Sequence, residues 1–361
     1  MKDDLLYYLA FSHFLGIGPM RFAALKKHFG SAKKAYLADK KELLKVIGVS
    51  LTEKFIDFRN IFDPVKKLDE LKKKGILVLP VDNDDYPESV KNISDPPICI
   101  YIKGSIPNFS PFLLFAIVGT RNPTSYGIQV TKKFAHELTK AGFIIISGMA
   151  YGIDTIAHQS CLEAGGKTIA VLGCGVDIVY PATNKNLYEK IIRSGGAVIS
   201  EFPPGQFVLK GLFVARNRII SALSRGVMIV EGTKDSGSLI TARYAAEQGK
   251  DVFAPPSPIT SDMSVAPNLL LKQGAKLVTT VEDIYEEFNM KTTPKKKENI
   301  LEKLNKEERE IFVLLNEKPI LIDNLVLRLE KPINQVLNTL SVLEINGVIE
   351  KNNENYYQVR L

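Results

Sequence analysis

The chain has 361 residues, 45% of them hydrophobic and 24% charged, a globular composition long enough for two or three domains. Its net charge of +7 has one source: residues 1–79 carry 14 Lys and 2 Arg against 9 acidic residues, while the remaining 282 balance at 31 and 31. No apolar run is long enough to span a bilayer, Met1-Lys2-Asp3-Asp4 has no signal-peptide profile, and the three cysteines form neither a CxxC pair nor zinc spacing, so a cytoplasmic protein with free thiols and no metal is expected.

Residues 1–72 predict a helical domain. Leu5, Leu6, Leu9, Leu15, Phe22, Leu25 and Phe29 recur at helical spacing. Leu15-Gly16-Ile17-Gly18-Pro19 is a tight turn whose Pro suits the first position of a helix, and Val46-Ile47-Gly48-Val49-Ser50 is a weaker second copy. Two helices across a Gly-x-Gly turn resemble a helix-hairpin-helix unit, whose helix start can hold a phosphate, with Lys26, Lys27, Lys33 and Lys34 close behind. The basic excess suits an acidic partner, nucleic acid first. A solvated Lys-rich surface and a purely structural helical cap fit the same residues.

Residues 75–289 alternate short β-rich runs with helical stretches. Runs at 76–81 and 98–102 are a lead-in expected to pack on the edge of the main sheet. Runs at 112–118, 143–146, 168–172, 197–200 and 226–230 follow, each bounded by Gly, Ser, Arg or Asn. This pattern predicts an extended Rossmann-like, doubly wound, mostly parallel sheet. Beyond Ala254 the chain turns Pro-rich, then offers a short unit near 269–278 and a helix over 281–288. Residues 290–299 predict a polar linker.

Residues 300–361 predict a winged helix. Helices are expected near 306–315 and 321–329. A third is opened by Pro332 with Ile333, Val336, Leu337, Leu340 and Leu343 facing inward, followed by a hairpin turning at Asn352-Asn353. Between Pro332 and Asn346 there is no Lys or Arg, and Glu344 is acidic. Duplex reading needs cations on that helix, so a protein-contacting or regulatory role is favoured.

Ligands of such sheets bind at the C-terminal strand ends, and the unusual residues cluster there. Gly119-Thr120-Arg121 offers open backbone, a hydroxyl and a guanidinium fork suited to phosphate. GxGxxG is missing, and Ser147 stands where a dinucleotide enzyme carries its ribose-binding acid, which argues strongly against an NAD dehydrogenase. Ser147-Gly148-x-Ala150-x-Gly152 opens a helix and makes a second anion site. Gly173-Cys174-Gly175, Tyr180-Pro181, Asn184 and Lys185 follow the third strand. Arg216-Asn217-Arg218 suits backbone phosphates plus one base or ribose contact, or else a pair of interior salt bridges. Ser236-Gly237-Ser238 with Thr241 is a further cluster of hydroxyls and N–H groups. Tyr126, Tyr151, Phe202, Phe207 and Phe213 lie in or near these loops and suit stacking of unpaired bases. Asp154 and His158 share a helix face and read as a structural pair rather than a catalytic one. With no nucleophile elbow, P-loop or metal cluster, the set predicts no catalysis and no cofactor.

Taken together, Ile117-Val118-Gly119-Thr120-Arg121, the run from Ser147 to His158, Gly166 to Gly173, Tyr180-Pro181-x-x-Asn184, Ser200-Glu201-Phe202-Pro203-Pro204-Gly205, Phe213-x-Ala215-Arg216-Asn217-Arg218 and Ser236 to Thr241 resemble the DNA-processing protein A family, DprA or Smf. The resemblance covers about residues 105–285. It likens the N-terminal helices to that family's sterile-alpha-motif-like domain and the C-terminal module to its winged helix. It implies a homodimer that binds incoming single-stranded DNA during natural transformation, loads RecA past single-strand-binding protein, and performs no catalytic turnover. Arg121 and its neighbours would hold the DNA backbone. Two departures stand out: Ala182 where relatives carry a basic residue after Tyr-Pro, with Lys185 as the substitute, and Pro255-Pro256-Ser257 with Pro267 near the dimer-packing region. Two other readings are a phosphoribohydrolase-like nucleotide enzyme, whose Pro-Gly-Gly-x-Gly-Thr-x-x-Glu loop is missing here, and a transcription regulator led by the winged helix.

Overall fold

A computed structural model of the chain describes residues 2–105, 109, 114–290, 304–317, 319–352 and 355–359. It divides into two units, Met1–Glu287 and Phe288–Leu361. Residues 291–299 of the expected linker, residues 112–113 of the first core run and Asn353 of the hairpin turn lie outside the described residues.

Six helices lead the first unit: α1 (Lys2–His13), α2 (Pro19–Phe29), α3 (Ala32–Leu37), α4 (Lys40–Ile47), α5 (Val49–Ile61) and α6 (Pro64–Lys73). Their starts are encoded locally. Side chains of Ser31, Asp39 and Asp63 accept the otherwise unpaired N–H groups of Lys34, Glu42, and Val65 and Lys66. Pro19 and Pro64 stand at first helical positions, where a missing N–H costs nothing. Phe11 is the hub, stacked on Phe55 at 5.2 Å and edge-on to Phe22 at 5.1 Å between ring centroids. Tyr101, from the second strand of the sheet, is fully buried in this same cluster, its hydroxyl 2.5 Å from Ser12 Oγ. Helices and sheet edge therefore share one core. Part of the basic excess is paired within the unit: Lys26 bonds Asp82, which also takes the Tyr8 hydroxyl.

The sheet contains β1 (Ile76–Pro80), β2 (Cys99–Gly104), β3 (Leu114–Val118), β4 (Ile144–Ser147), β5 (Thr168–Val171), β6 (Ala197–Ser200), β7 (Gly226–Ile229), β8 (Asp251–Ala254) and β9 (Lys276–Leu277). Their order is β1-β2-β6-β5-β4-β3-β7-β8-β9. The β1–β2 and β2–β6 pairs are antiparallel and the other pairs parallel. The crossover helices are α8 (Ser125–Lys140), α9 (Ile153–Glu163), α10 (Lys185–Arg193), α11 (Lys210–Leu223) and α12 (Gly237–Glu247). Short α7 (Glu88–Lys91) precedes β2, and α13 (Val265–Lys272) and α14 (Val281–Glu287) close the unit. Strand side chains alternate between faces. Ile169, Val171 and Ile199 pack with Ile219, Ile220 and Leu223 of α11, whereas Ala170 and Val198 pack with Leu187 and Ile191 of α10. Both faces are thus covered, which is why these strands are apolar throughout, and the fold is the Rossmann-like α/β sheet read from the pattern.

The second unit contains α15 (Lys306–Glu317), α16 (Ile322–Leu329), α17 (Ile333–Ile345), and a hairpin of β10 (Ile349–Lys351) with β11 (Tyr357–Val359). Val336, Leu340 and Leu343 of α17 are buried against Ile311, Leu315 and Leu325. Ile333 and Leu337, expected inward, are 47% and 37% exposed. Residues three and four apart trace only part of a helix circumference, and the core uses the 336–340–343 line alone.

Candidate functional site

The strand order reverses between β3 and β7. From β3 the chain steps outward to β4, β5 and β6, and from β7 it steps the other way. Loops leaving strand ends at such a reversal part and leave a crevice. A cleft of about 630 Å³ opens here, lined by the loop after β3, the start of α11, the start of α12 and Tyr180.

The outer wall is cationic and aromatic. Exposed Arg121 lies 5.6 Å from the Phe213 ring centroid, and the Tyr180 ring is 5.4 Å further on. Lys210 precedes Phe213 by three residues on α11, so both project from one helix face into the cleft. The loop carrying Arg121 is fixed at several points. The Thr120 N–H donates to the Glu231 carbonyl at 2.8 Å, and its carbonyl accepts the Ile153 N–H at 3.1 Å. The buried Glu231 carboxylate accepts the Thr124 N–H at 2.9 Å and the Thr124 hydroxyl at 2.5 Å. Thr120 Oγ1 accepts the Asn122 N–H at 3.2 Å.

The floor is built on Arg216, 5% exposed. Its Nη1 donates to the Gly148 and Val171 carbonyls at 2.5 and 2.7 Å and its Nε to Asn217 Oδ1 at 2.9 Å, while Nη2 stands 3.9 Å from Asp154 Oδ2. Burial pushes the Asp154 carboxyl up, and the Arg216 charge opposes that. Asp154 also accepts the N–H groups of Gly148 and Ala150 at 3.1 and 3.3 Å. The second anion site read from Ser147-Gly148-x-Ala150-x-Gly152 is therefore filled by the chain's own carboxylate. A Cβ at Gly148 would overlap the Arg216 guanidinium. Gly152, at φ +75°, brings the start of α9 against the Thr120 and Arg121 carbonyls, where a side chain has no space.

The structure gathers Gly119, Thr120, Arg121, Arg216, Asn217, Ser236, Gly237, Ser238 and Thr241 in one cleft. The other expected residues are elsewhere. Two positions on a helix subtend about 200°, so Arg218 points away from Arg216. It forms a forked pair with Glu201 at 2.5 and 2.7 Å and lies 2.9 Å from Asp95 Oδ2, the interior salt bridge rather than the phosphate contact. Ser147 is fully buried and donates to the Ile117 carbonyl at 2.7 Å. Asn184 is buried, its amide donating to the Met149 carbonyl at 3.0 Å and to Thr155 Oγ1 at 2.8 Å. Gly173 packs beneath Phe213, and Lys185 is exposed at the start of α10, away from the cleft lining. Sequence reasoning missed Lys210 and the role of Glu231. The Lys210-x-x-Phe213 spacing at a helix start was the available signal for the first.

Asp154 and His158 are not partners. Thr168 spends its one hydroxyl hydrogen on the Ile145 carbonyl, so its oxygen accepts from His158 Nδ1–H at 2.6 Å. Burial lowers the His158 ring to about 3, with the Arg216 charge adding, and burial lowers His13 to about 4. Both rings are neutral when folded and take a proton near pH 6.5 when unfolded. The unfolded state then binds more protons below that pH, so stability is expected to fall on acidification from about 6.5 to 4, by roughly 1.4 kcal/mol per pH unit for each ring. Urea titrations at pH 7.5 and 5.0 check this. The His158→Gln variant should show a shallower pH slope, and an unchanged slope would show that another group carries the effect.

A sequence model of DNA recombination-mediator protein A matches residues 77–289, and one of the DprA winged helix domain matches residues 295–353. Protein Smf of Synechocystis is 39% identical over 289 residues, 77% of this chain and 71% of its own length. DNA processing protein DprA of Bacillus subtilis is 41% identical over 217 residues, 60% and 73% of the two chains. The X-ray structure of DNA processing protein A from Streptococcus pneumoniae superposes with a TM-score of 0.67 at 34% identity, covering 78% of this chain and 96% of that one. A structure of the Helicobacter pylori protein, described for its single-stranded DNA binding mode, gives a TM-score of 0.54 at 32% identity over 59% and 95% of the two chains.

Proposed function

Because the chain belongs to the DNA recombination-mediator protein A family, we propose that it binds single-stranded DNA across the cleft at the β3–β7 reversal and delivers that strand to RecA in natural transformation. The observation that carries the reading is the row of Arg121, Phe213 and Tyr180 beside Lys210. Aromatic faces stack on any unpaired base, and adjoining cations hold the backbone, a combination tolerant of sequence and selective for unpaired strands. Displacement of single-strand-binding protein, a homodimeric state and a cytoplasmic site of action belong to the same proposal. No described helix is long and apolar enough to cross a membrane.

A gel-shift comparison of one sequence as single strand and as duplex tests this, repeated with RecA present. Tighter binding of the single strand is expected, with log affinity falling linearly with log salt. RecA should form a slower-migrating complex with the bound strand. Equal or tighter binding of the duplex would overturn the reading. Release of free base from a nucleoside monophosphate would favour the nucleotide-hydrolase alternative.

A further inference from the structure

The cleft holds a hydroxyl that the chain itself does not use. Thr241 lies one turn into α12, is 2% exposed and lines the cleft, and its hydroxyl has no hydrogen-bond partner among the described residues. Other buried helical threonines here bond back to the carbonyl four residues earlier: Thr52 to Gly48, Thr131 to Gly127 and Thr139 to Ala135. At Thr241 the corresponding carbonyl, that of Gly237, instead accepts from Asn217 Nδ2 at 3.3 Å. The hydroxyl is therefore left to face the cleft, where a ligand oxygen could take its hydrogen.

The surroundings specify what could enter. The Ser236 and Ser238 hydroxyls stand 2.7 Å apart beside it. Gly237 is exposed, with nothing within 4 Å of where its side chain would start, so its backbone is open to close approach. These groups crown the N-terminus of an eleven-residue helix, the end that favours an anion. Buried Val118, Asp154 and Ile220 line the same cleft. A phosphomonoester brings a charge near −2 and three acceptor oxygens; Ser236 and Ser238 share one hydrogen between them, so the Thr241 hydroxyl and one serine hydroxyl remain to donate to it.

We propose that the α12 end of the cleft is a phosphomonoester pocket, which takes the terminal phosphate of a DNA strand or a free nucleoside monophosphate and sets the attached base toward Phe213. For the strand end, the proposal rests on the single-strand reading above.

The full chain is titrated by fluorescence anisotropy against one oligonucleotide in three forms: 5′-phosphorylated, 3′-phosphorylated, and with hydroxyls at both ends. Competition with deoxyadenosine monophosphate and with inorganic phosphate is measured in parallel. A preference of roughly tenfold for one phosphorylated end is expected if the strand terminus is the source. Displacement by the mononucleotide with no difference between strand ends identifies the free nucleotide as the source. Thr241→Val removes only the hydroxyl and is expected to bring the ratio between phosphorylated and unphosphorylated ligand close to one. Ser238→Ala, which leaves the Thr241 packing intact, should reduce the same ratio. Equal affinity of all three strands, with no displacement by either competitor at millimolar concentration, overturns the pocket. Failure of every strand to bind would instead overturn the single-strand reading, so the two outcomes stay distinct.

Discussion

Arg121→Ala is expected to weaken single-stranded DNA binding by roughly tenfold or more at low salt, and to lower the slope of log affinity against log salt by about 0.7, the share of one phosphate contact on a single strand. The side chain is exposed on a loop pinned by Glu231 and Ile153, so its removal should leave the melting temperature unchanged while the binding changes. Phe213→Ala should cost about 1–3 kcal/mol through lost base stacking and leave the salt slope as it was. The guanidinium lies over the Phe213 ring, so the two losses should be non-additive in a double-mutant cycle. Anisotropy titrations across a salt series measure all three quantities. Arg121→Ala binding as tightly as the parent at low salt would remove Arg121 from the interface.

Arg216→Met is expected to lose about 3–5 kcal/mol of folding stability, the usual consequence of deleting one member of a buried charged pair. The change strands the Asp154 carboxylate, which lies 3.9 Å from Nη2, and removes the donor from the Gly148 and Val171 carbonyls. Such a loss is a large part of a typical domain's total stability. Urea unfolding at pH 7 gives the number. The Asp154→Asn, Arg216→Met double variant should recover part of it, because no uncompensated charge is then buried. A loss below about 1 kcal/mol in the single variant would mean that water reaches the pair and the floor is not sealed.

The strand ends were legible because they interrupt apolar runs with residue types that sheets do not otherwise place there, and nine of the expected site residues do meet in the cleft. What could not be read was direction. Arg216 and Arg218 are two positions apart and look equivalent in the chain, yet the helix turns one onto the sheet and the other toward Glu201 and Asp95. Asp154 looked like half of a pair with His158 because both lie on one helix face. The free N–H groups of Gly148 and Ala150, created only when the loop folds, bind its carboxylate first. Lys210 gave little warning because a single Lys at a helix start carries no pattern until Phe213 is known to line a wall. In the winged helix the third helix forms where the spacing predicts it, but Ile333 and Leu337, as apolar as the buried Val336 and Leu340, stay partly exposed, because apolarity alone does not mark which flank of a helix meets the core.

The contribution of Tyr101 to the helical core bears on where this protein can be cut. The match to the recombination-mediator domain model begins at residue 77, a natural place to trim the chain. A fragment starting there would keep Val78, Ile98 and Tyr101 but lose Phe11, Phe22 and Phe55, against which those side chains are buried. It would present a bare aromatic and aliphatic flank and an outermost strand shortened at its first residue, Ile76. The border of the matched domain and the border of what can stand alone in water are therefore different places in this chain, separated by the length of six helices.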